Sequence, residues 1–141
     1  MMDHSILGLL SWIAPNLIPV AFFFVISKFL TKRIPCKPLD RFFMKVHIPL
    51  GWILLVCTVY HTAAALTAGQ TMSMQGGDTY TIPTVVFVSG LIATAAIIVA
   101  AVAFYLRKKL KGKWLQWHRA AAIIAAAATA WHMIAWFSQK G

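Results

Sequence analysis

Four long runs of this chain contain no acidic residue and almost no charge of any kind: residues 6–30, 42–66, 82–106 and 115–137. Each reaches the roughly 20 residues needed to cross the hydrocarbon of a bilayer. In lipid a backbone must satisfy its own N–H and C=O groups, and apolar runs this continuous do so as helices rather than barrel strands. The expected fold is all-α, an integral membrane four-helix bundle formed as one domain over residues 1–141. Composition closes off the alternatives. Of the 141 residues 60% are hydrophobic and only 11% charged, whereas a soluble domain needs roughly a quarter of its residues charged. Disorder is excluded by the same figures, and a chain this apolar is not expected to take nucleic acid as a partner despite its formal net charge of +10. The expected partner of its surface is the lipid bilayer.

The first run carries Pro15, Asn16 and Pro19, which predict a kink. Its basic residues follow the apolar stretch instead of preceding it, so it reads as a retained anchor, not a cleaved signal. Cys36 lies in a basic loop and Cys57 inside an apolar run, so no disulfide between them is expected. Covalent haem attachment is not expected either, because Cys-x-x-Cys-His is missing from the sequence.

The cations set the direction of the spans. Lys28, Lys32, Arg33, Lys37, Arg41 and Lys45 cluster around the first connection, and Arg107, Lys108, Lys109, Lys111, Lys113 and Arg119 around the third. The second connection has no Lys or Arg, and the C-terminal tail has only Lys140. The positive-inside rule therefore predicts that connections one and three are cytoplasmic and both termini lie outside. The expected location is a bacterial cytoplasmic membrane, with the second and fourth spans running parallel.

Those two parallel spans carry the histidines. His47 and His61 lie in the second, His118 and His132 in the fourth, each pair 14 residues apart. In an α-helix 14 residues come within roughly 40° of four whole turns, so both imidazoles of a pair share a face, about 21 Å apart along the axis. The repeat extends beyond the histidines. Gly51 and Ala122 stand four residues after the first His of each pair, and Thr58 and Thr129 eleven residues after it. Small residues between the imidazoles leave room for a flat macrocycle, although alanine is also common wherever membrane helices pack closely. Two facing imidazoles at each level are what six-coordinate haem iron takes in its axial positions, and helix bundles commonly hold cofactors between facing helices. The residues read as two stacked bis-His haems. A tetrahedral metal site would need three or four ligands at one level. A proton or ion pump would want an intramembrane acid, and the four runs have none.

The segments MKVHIPLGWILLVCTVYHTA and, one span later, WLQWHRAAAIIAAAATAWHMI resemble the haem-binding core of the ferric reductase-like transmembrane domain superfamily. That superfamily includes ferric reductases, NADPH oxidases and the haem subunit that feeds periplasmic methionine sulfoxide reductase. The resemblance covers residues 41–137 and includes the His-x-x-x-Gly of His47 and Gly51. It implies two haem b cofactors, with His47 and His118 as ligands of the inner iron and His61 and His132 as ligands of the outer iron. It implies electron transfer from a cytoplasmic-side donor to an outer-side redox acceptor. Larger members have six spans, whereas four are expected here, and no Gly-rich loop after a strand marks a flavin or nicotinamide site. The donor is therefore expected to be quinol or a separate flavoprotein, and the chain itself has no expected catalytic residue. A second reading keeps the haems but makes the chain a membrane anchor subunit that exchanges electrons with quinone for a partner oxidoreductase.

Haem propionates need cationic or donor partners at the membrane boundary. Arg119, next to His118, is the leading candidate, ahead of Arg41, Lys45 and Lys113, which read equally well as residues that snorkel to lipid headgroups. On the outer side Gln70, Tyr80, Ser138 and Gln139 are the available donors. Met72 and Met74 with His4 carry the ligand types of a Cu(I) site, but read better as ordinary loop residues.

Overall fold

The computed structural model describes residues 6–31, 37–69, 71–73 and 79–138. Four long helices dominate: α1 (Ile6–Thr31), α2 (Lys37–Ala68), α3 (Thr84–Tyr105) and α5 (Trp114–Phe137), with the four-residue α4 (Arg107–Leu110) and a single 3₁₀ turn (Lys111–Lys113) joining α3 to α5. Three segments are long and apolar enough to cross a membrane: Lys37–Thr67, Thr84–Tyr105 and Arg107–Phe137. In α1 the apolar stretch that qualifies is the shorter Asn16–Ser27.

The helices fall where the apolar runs predict, with instructive differences at their ends. α1 is assigned as helix without a break through Pro15 and Pro19. α2 starts five residues before the apolar run and passes through Pro49, which lies inside the helix. Its first turn, Lys37-Pro38-Leu39-Asp40, suits a helix start: Pro38 loses no backbone bond there, and Asp40 faces the positive end of the helix dipole. At the other end Gly69 takes φ +71°, a left-handed conformation that glycine adopts without penalty and that commonly terminates helices. The polar second connection contains an antiparallel pair of short strands, β1 (Thr71–Ser73) and β2 (Thr79–Thr81), in the register Thr71↔Thr81, Met72↔Tyr80, Ser73↔Thr79.

The chain divides into two compact units, Met1–His61 and Thr62–Gly141, the boundary falling within α2. In the first unit Phe24 of α1 meets Phe43 of α2 at 6.4 Å between ring centroids. Among the described residues, Ala21, Ser27, Leu54 and Thr58 are buried there. The two buried hydroxyls are satisfied by their own helices, Ser27 Oγ donating to the Phe23 carbonyl at 2.7 Å and Thr58 Oγ1 to the Leu54 carbonyl at 2.6 Å. A hydroxyl bonded back one turn removes the cost of an unsatisfied polar group in an apolar setting.

The second unit is an antiparallel pair of helices, α3 against α5. Its seam is built of small side chains: Ser89, Ala93, Thr94, Ala96 and Ala103 on α3, with Ala121, Ala125, Thr129 and Ala135 on α5, all buried. Val86 and Ile97 are the larger side chains buried with them on α3, whereas most of the large ones point the other way: Val88, Ile92, Val99, Ile123, Ile124 and Ile134 are exposed. A water-soluble domain does the reverse, because burial of large apolar side chains is what drives its folding. Small residues inside and large ones outside suit helices packed in lipid. There close backbone approach supplies the contact energy, and the hydrocarbon tails are as apolar as leucine.

Candidate histidine site

His118 and His132 sit on the face of α5 that packs against α3. His118 Nδ1 lies 2.9 Å from the carbonyl oxygen of Ala100, and His132 Nδ1 lies 2.8 Å from that of Val86. The two acceptors are 14 residues apart in α3, as the two histidines are in α5, so the antiparallel helices repeat one arrangement at two depths. A helix-interior carbonyl has a second lone pair beyond the one used by its own helix, and that is what allows this extra bond. A carbonyl can only accept. Both Nδ1 atoms are therefore the protonated nitrogens, and in the neutral ring Nε2 is left as the one with a free lone pair.

The surroundings of the two rings differ. Near the basic turn, His118 lies in an aromatic cluster, 6.5 Å from Phe104 and 6.0 Å from Trp114 between centroids, and these two rings are themselves 6.1 Å apart. The Arg107 guanidinium covers Phe104 at 4.5 Å from its centroid, a cation–π contact at the end of α3. At the opposite end Ile82, Val86 and Ala135 form a buried cluster with Phe87 and Trp136 packed on it. There the His132 ring rests against Gly90: a Cβ on that glycine would stand 3.2 Å from both Cε1 and Nδ1. Ser89 Oγ donates to the same Val86 carbonyl at 3.0 Å and lies 3.4 Å from His132 Nδ1.

A further polar link holds the α2 end of this unit to α3. Thr94 Oγ1 donates to the Gly90 carbonyl at 2.9 Å, so its only hydrogen is committed. The 2.7 Å contact with Thr62 must then be a bond in which Thr62 donates and Thr94 accepts. Thr62 directly follows His61 in the sequence.

In the first unit, His47 and His61 lie in the uninterrupted helix α2, both half-buried. Thr58 and Thr129, the matching residues of the two repeats, are both buried. Gly51 has open space where a side chain would stand, nothing lying within 4 Å of an added Cβ. Arg119 is exposed in the first turns of α5, and Lys113 in the 3₁₀ turn before it and Arg41 and Lys45 in α2 are exposed too. Among the described residues no three His, Cys, Asp or Glu side chains gather in a group able to hold a metal ion. Met72 and Tyr80 belong to the paired strands β1 and β2, and Ser138 ends α5 with its hydroxyl donating to the Ala135 carbonyl at 3.1 Å. His4, Cys36, Gln70, Met74 and Gln139 lie outside the described residues.

The residues missed by sequence reasoning are on α3: Val86 and Ala100 through their carbonyls, and Ser89 and Gly90 beside His132. One signal existed, since Gly90 is the sole glycine in a helix otherwise rich in alanine and β-branched residues. Its partner is 42 positions away, a distance that local periodicity does not bridge. No family model, curated protein or solved structure matches this chain.

Proposed function

We propose that this chain is a membrane cytochrome b that carries electrons across a bilayer through two haems b, from a donor at its basic side to a redox acceptor at the other. His47 and His118 are the proposed ligands at the basic side, His61 and His132 at the far side. The observation that carries the reading is the repeat of one histidine arrangement at two depths. Each α5 imidazole is held by Nδ1 to an α3 carbonyl 14 residues from the next. This is the outer-shell bond that ligating histidines ordinarily make, fixing the tautomer and raising the basicity of Nε2.

The donor set fits the group. Paired as the sequence repeat pairs them, one histidine of α2 and one of α5 would serve each haem iron, and among the described residues no third His, Cys, Asp or Glu gathers beside any of them as a four-coordinate metal would need. The bound iron, alternating between its ferrous and ferric states, would supply one-electron transfer. The protein's part would be to present four imidazoles, with the Nε2 lone pairs of His118 and His132 set by their Nδ1 bonds, and to bring exposed cations to the boundary, Arg119 first among them for a propionate. With the cytoplasmic side negative, moving an electron outward is favoured by about 2.3 kcal/mol per 100 mV.

Reconstitution tests this. Liposomes loaded with dithionite and carrying the protein should reduce impermeant external ferricyanide. The double variant His61→Ala, His132→Ala should lose that reduction while remaining inserted. External reduction no faster than in protein-free liposomes, from a preparation that binds haem, would refute electron crossing and leave the quinone-exchanging anchor as the surviving reading.

A further inference from the structure

The geometry points to Gly90 as the positioning residue of His132: by lacking a side chain it lets the imidazole lie against α3 and reach the Val86 carbonyl. The inference rests on the ligand role proposed above for His132, but its structural content is independent of what the Nε2 lone pair binds.

The constraint is steric first. His132 is half-buried beside a seam that contains Ala93, Ala125 and Ala135, all buried. An alanine at 90 would bring Cβ to 3.2 Å from Cε1 and Nδ1, where ordinary contacts lie near 3.5–4.0 Å. The ring would have to move by a few tenths of an ångström or turn about its own bonds. Either motion lengthens the 2.8 Å bond to Val86, the bond that assigns the proton to Nδ1. His118 is not built this way: it is flanked by aromatic rings, Phe104 and Trp114. The two depths are therefore separable by mutation.

The backbone around Gly90 is also braced. Its carbonyl accepts from Thr94, and Thr94 accepts from Thr62 of α2. A substitution at 90 thus meets a backbone segment held through its carbonyl, and the displacement is expected to fall on the ring. Substitution by alanine raises rather than lowers the helix propensity of α3, so weaker binding in the variant is not explained by a failing helix.

The test compares wild type with Gly90→Ala, using Gly112→Ala as a control in open space. In haem-replete preparations the variant should lose affinity for one haem of two by about 10- to 100-fold, the range found when an outer-shell partner of a ligand is disturbed. One of two low-spin ferric EPR signals and one of two midpoint potentials should shift, the other signal and potential staying where they are. Nitrogen-15 NMR of the reduced wild type in bilayers should show His132 protonated at Nδ1, with that resonance moved or broadened in Gly90→Ala and unchanged in Gly112→Ala. Two unaltered haem signals in Gly90→Ala, or a His132 protonated at Nε2 in the wild type, would overturn the inference. Wild type without haem would refute the proposed function instead, and the NMR comparison would still decide the positioning role.

Discussion

The seam between α3 and α5 makes a quantitative prediction. Ala125 is 2% exposed and shares the buried seam with Ala93 on α3, 6% exposed, while Ile123, two residues away on α5, is 65% exposed. Ala125→Leu forces three extra carbon atoms into a space set by methyl groups. Overpacking of this kind costs about 1–3 kcal/mol, which multiplies the unfolding equilibrium constant by about 5- to 150-fold. Ile123→Ala removes three carbons that face lipid, and truncation outside the packed seam changes stability by less than about 0.5 kcal/mol. In a soluble protein the ranking would be the opposite, because truncating a large buried apolar side chain is the costly change there. Reversible unfolding in mixed micelles of lipid and dodecyl sulfate, followed by far-UV circular dichroism, measures both variants. Ala125→Leu as stable as wild type, or Ile123→Ala the more damaging of the two, would refute the small-inside, large-outside packing.

Two further outcomes follow from other parts of the structure, and a third from the proposed orientation of the basic connections. Thr94→Val removes the Thr62 bond and the bond to the Gly90 carbonyl, and should cost about 0.5–1.5 kcal/mol in the same unfolding assay. Lys111 holds φ 49°, ψ −129°, a region costly for any residue with a Cβ; Lys111→Gly should raise stability by up to about 1 kcal/mol after the flexibility of glycine is discounted. For direction across the membrane, single cysteines are introduced in a background lacking Cys36 and Cys57. Lys108→Cys should react with an impermeant maleimide only after the cells are opened, and Thr71→Cys should react in intact cells.

The helices were legible because hydrocarbon imposes a length and excludes charge, so the third apolar run, 82–106, differs from α3 (Thr84–Tyr105) by only two residues at one end and one at the other. The ends were less legible. α2 continues into Lys37 and Asp40, because a helix does not stop where hydropathy does: its first turn satisfies itself with water and with the dipole. Pro49 gave no visible stop either. The β1–β2 pair was missed because three-residue polar strands carry no hydrophobic alternation to detect. Within the site, the 14-residue spacing was readable because it is local to each helix. What holds the α5 imidazoles was not, because it consists of backbone carbonyls, which every residue has, and of a glycine on another helix. Gly51 drew notice by its place in the repeat, yet it faces open space, while Gly90 is the glycine against which a histidine packs.

The central claim is that the two histidine pairs hold two haems, and a haem count tests it most directly. Protein purified from haem-replete cells should give two non-covalent haems b per chain by pyridine haemochrome, falling to one in His61→Ala, His132→Ala and to none when His47 and His118 are replaced as well. A folded wild-type preparation with no Soret absorption, or one whose haem content is unchanged by removing all four histidines, would contradict it.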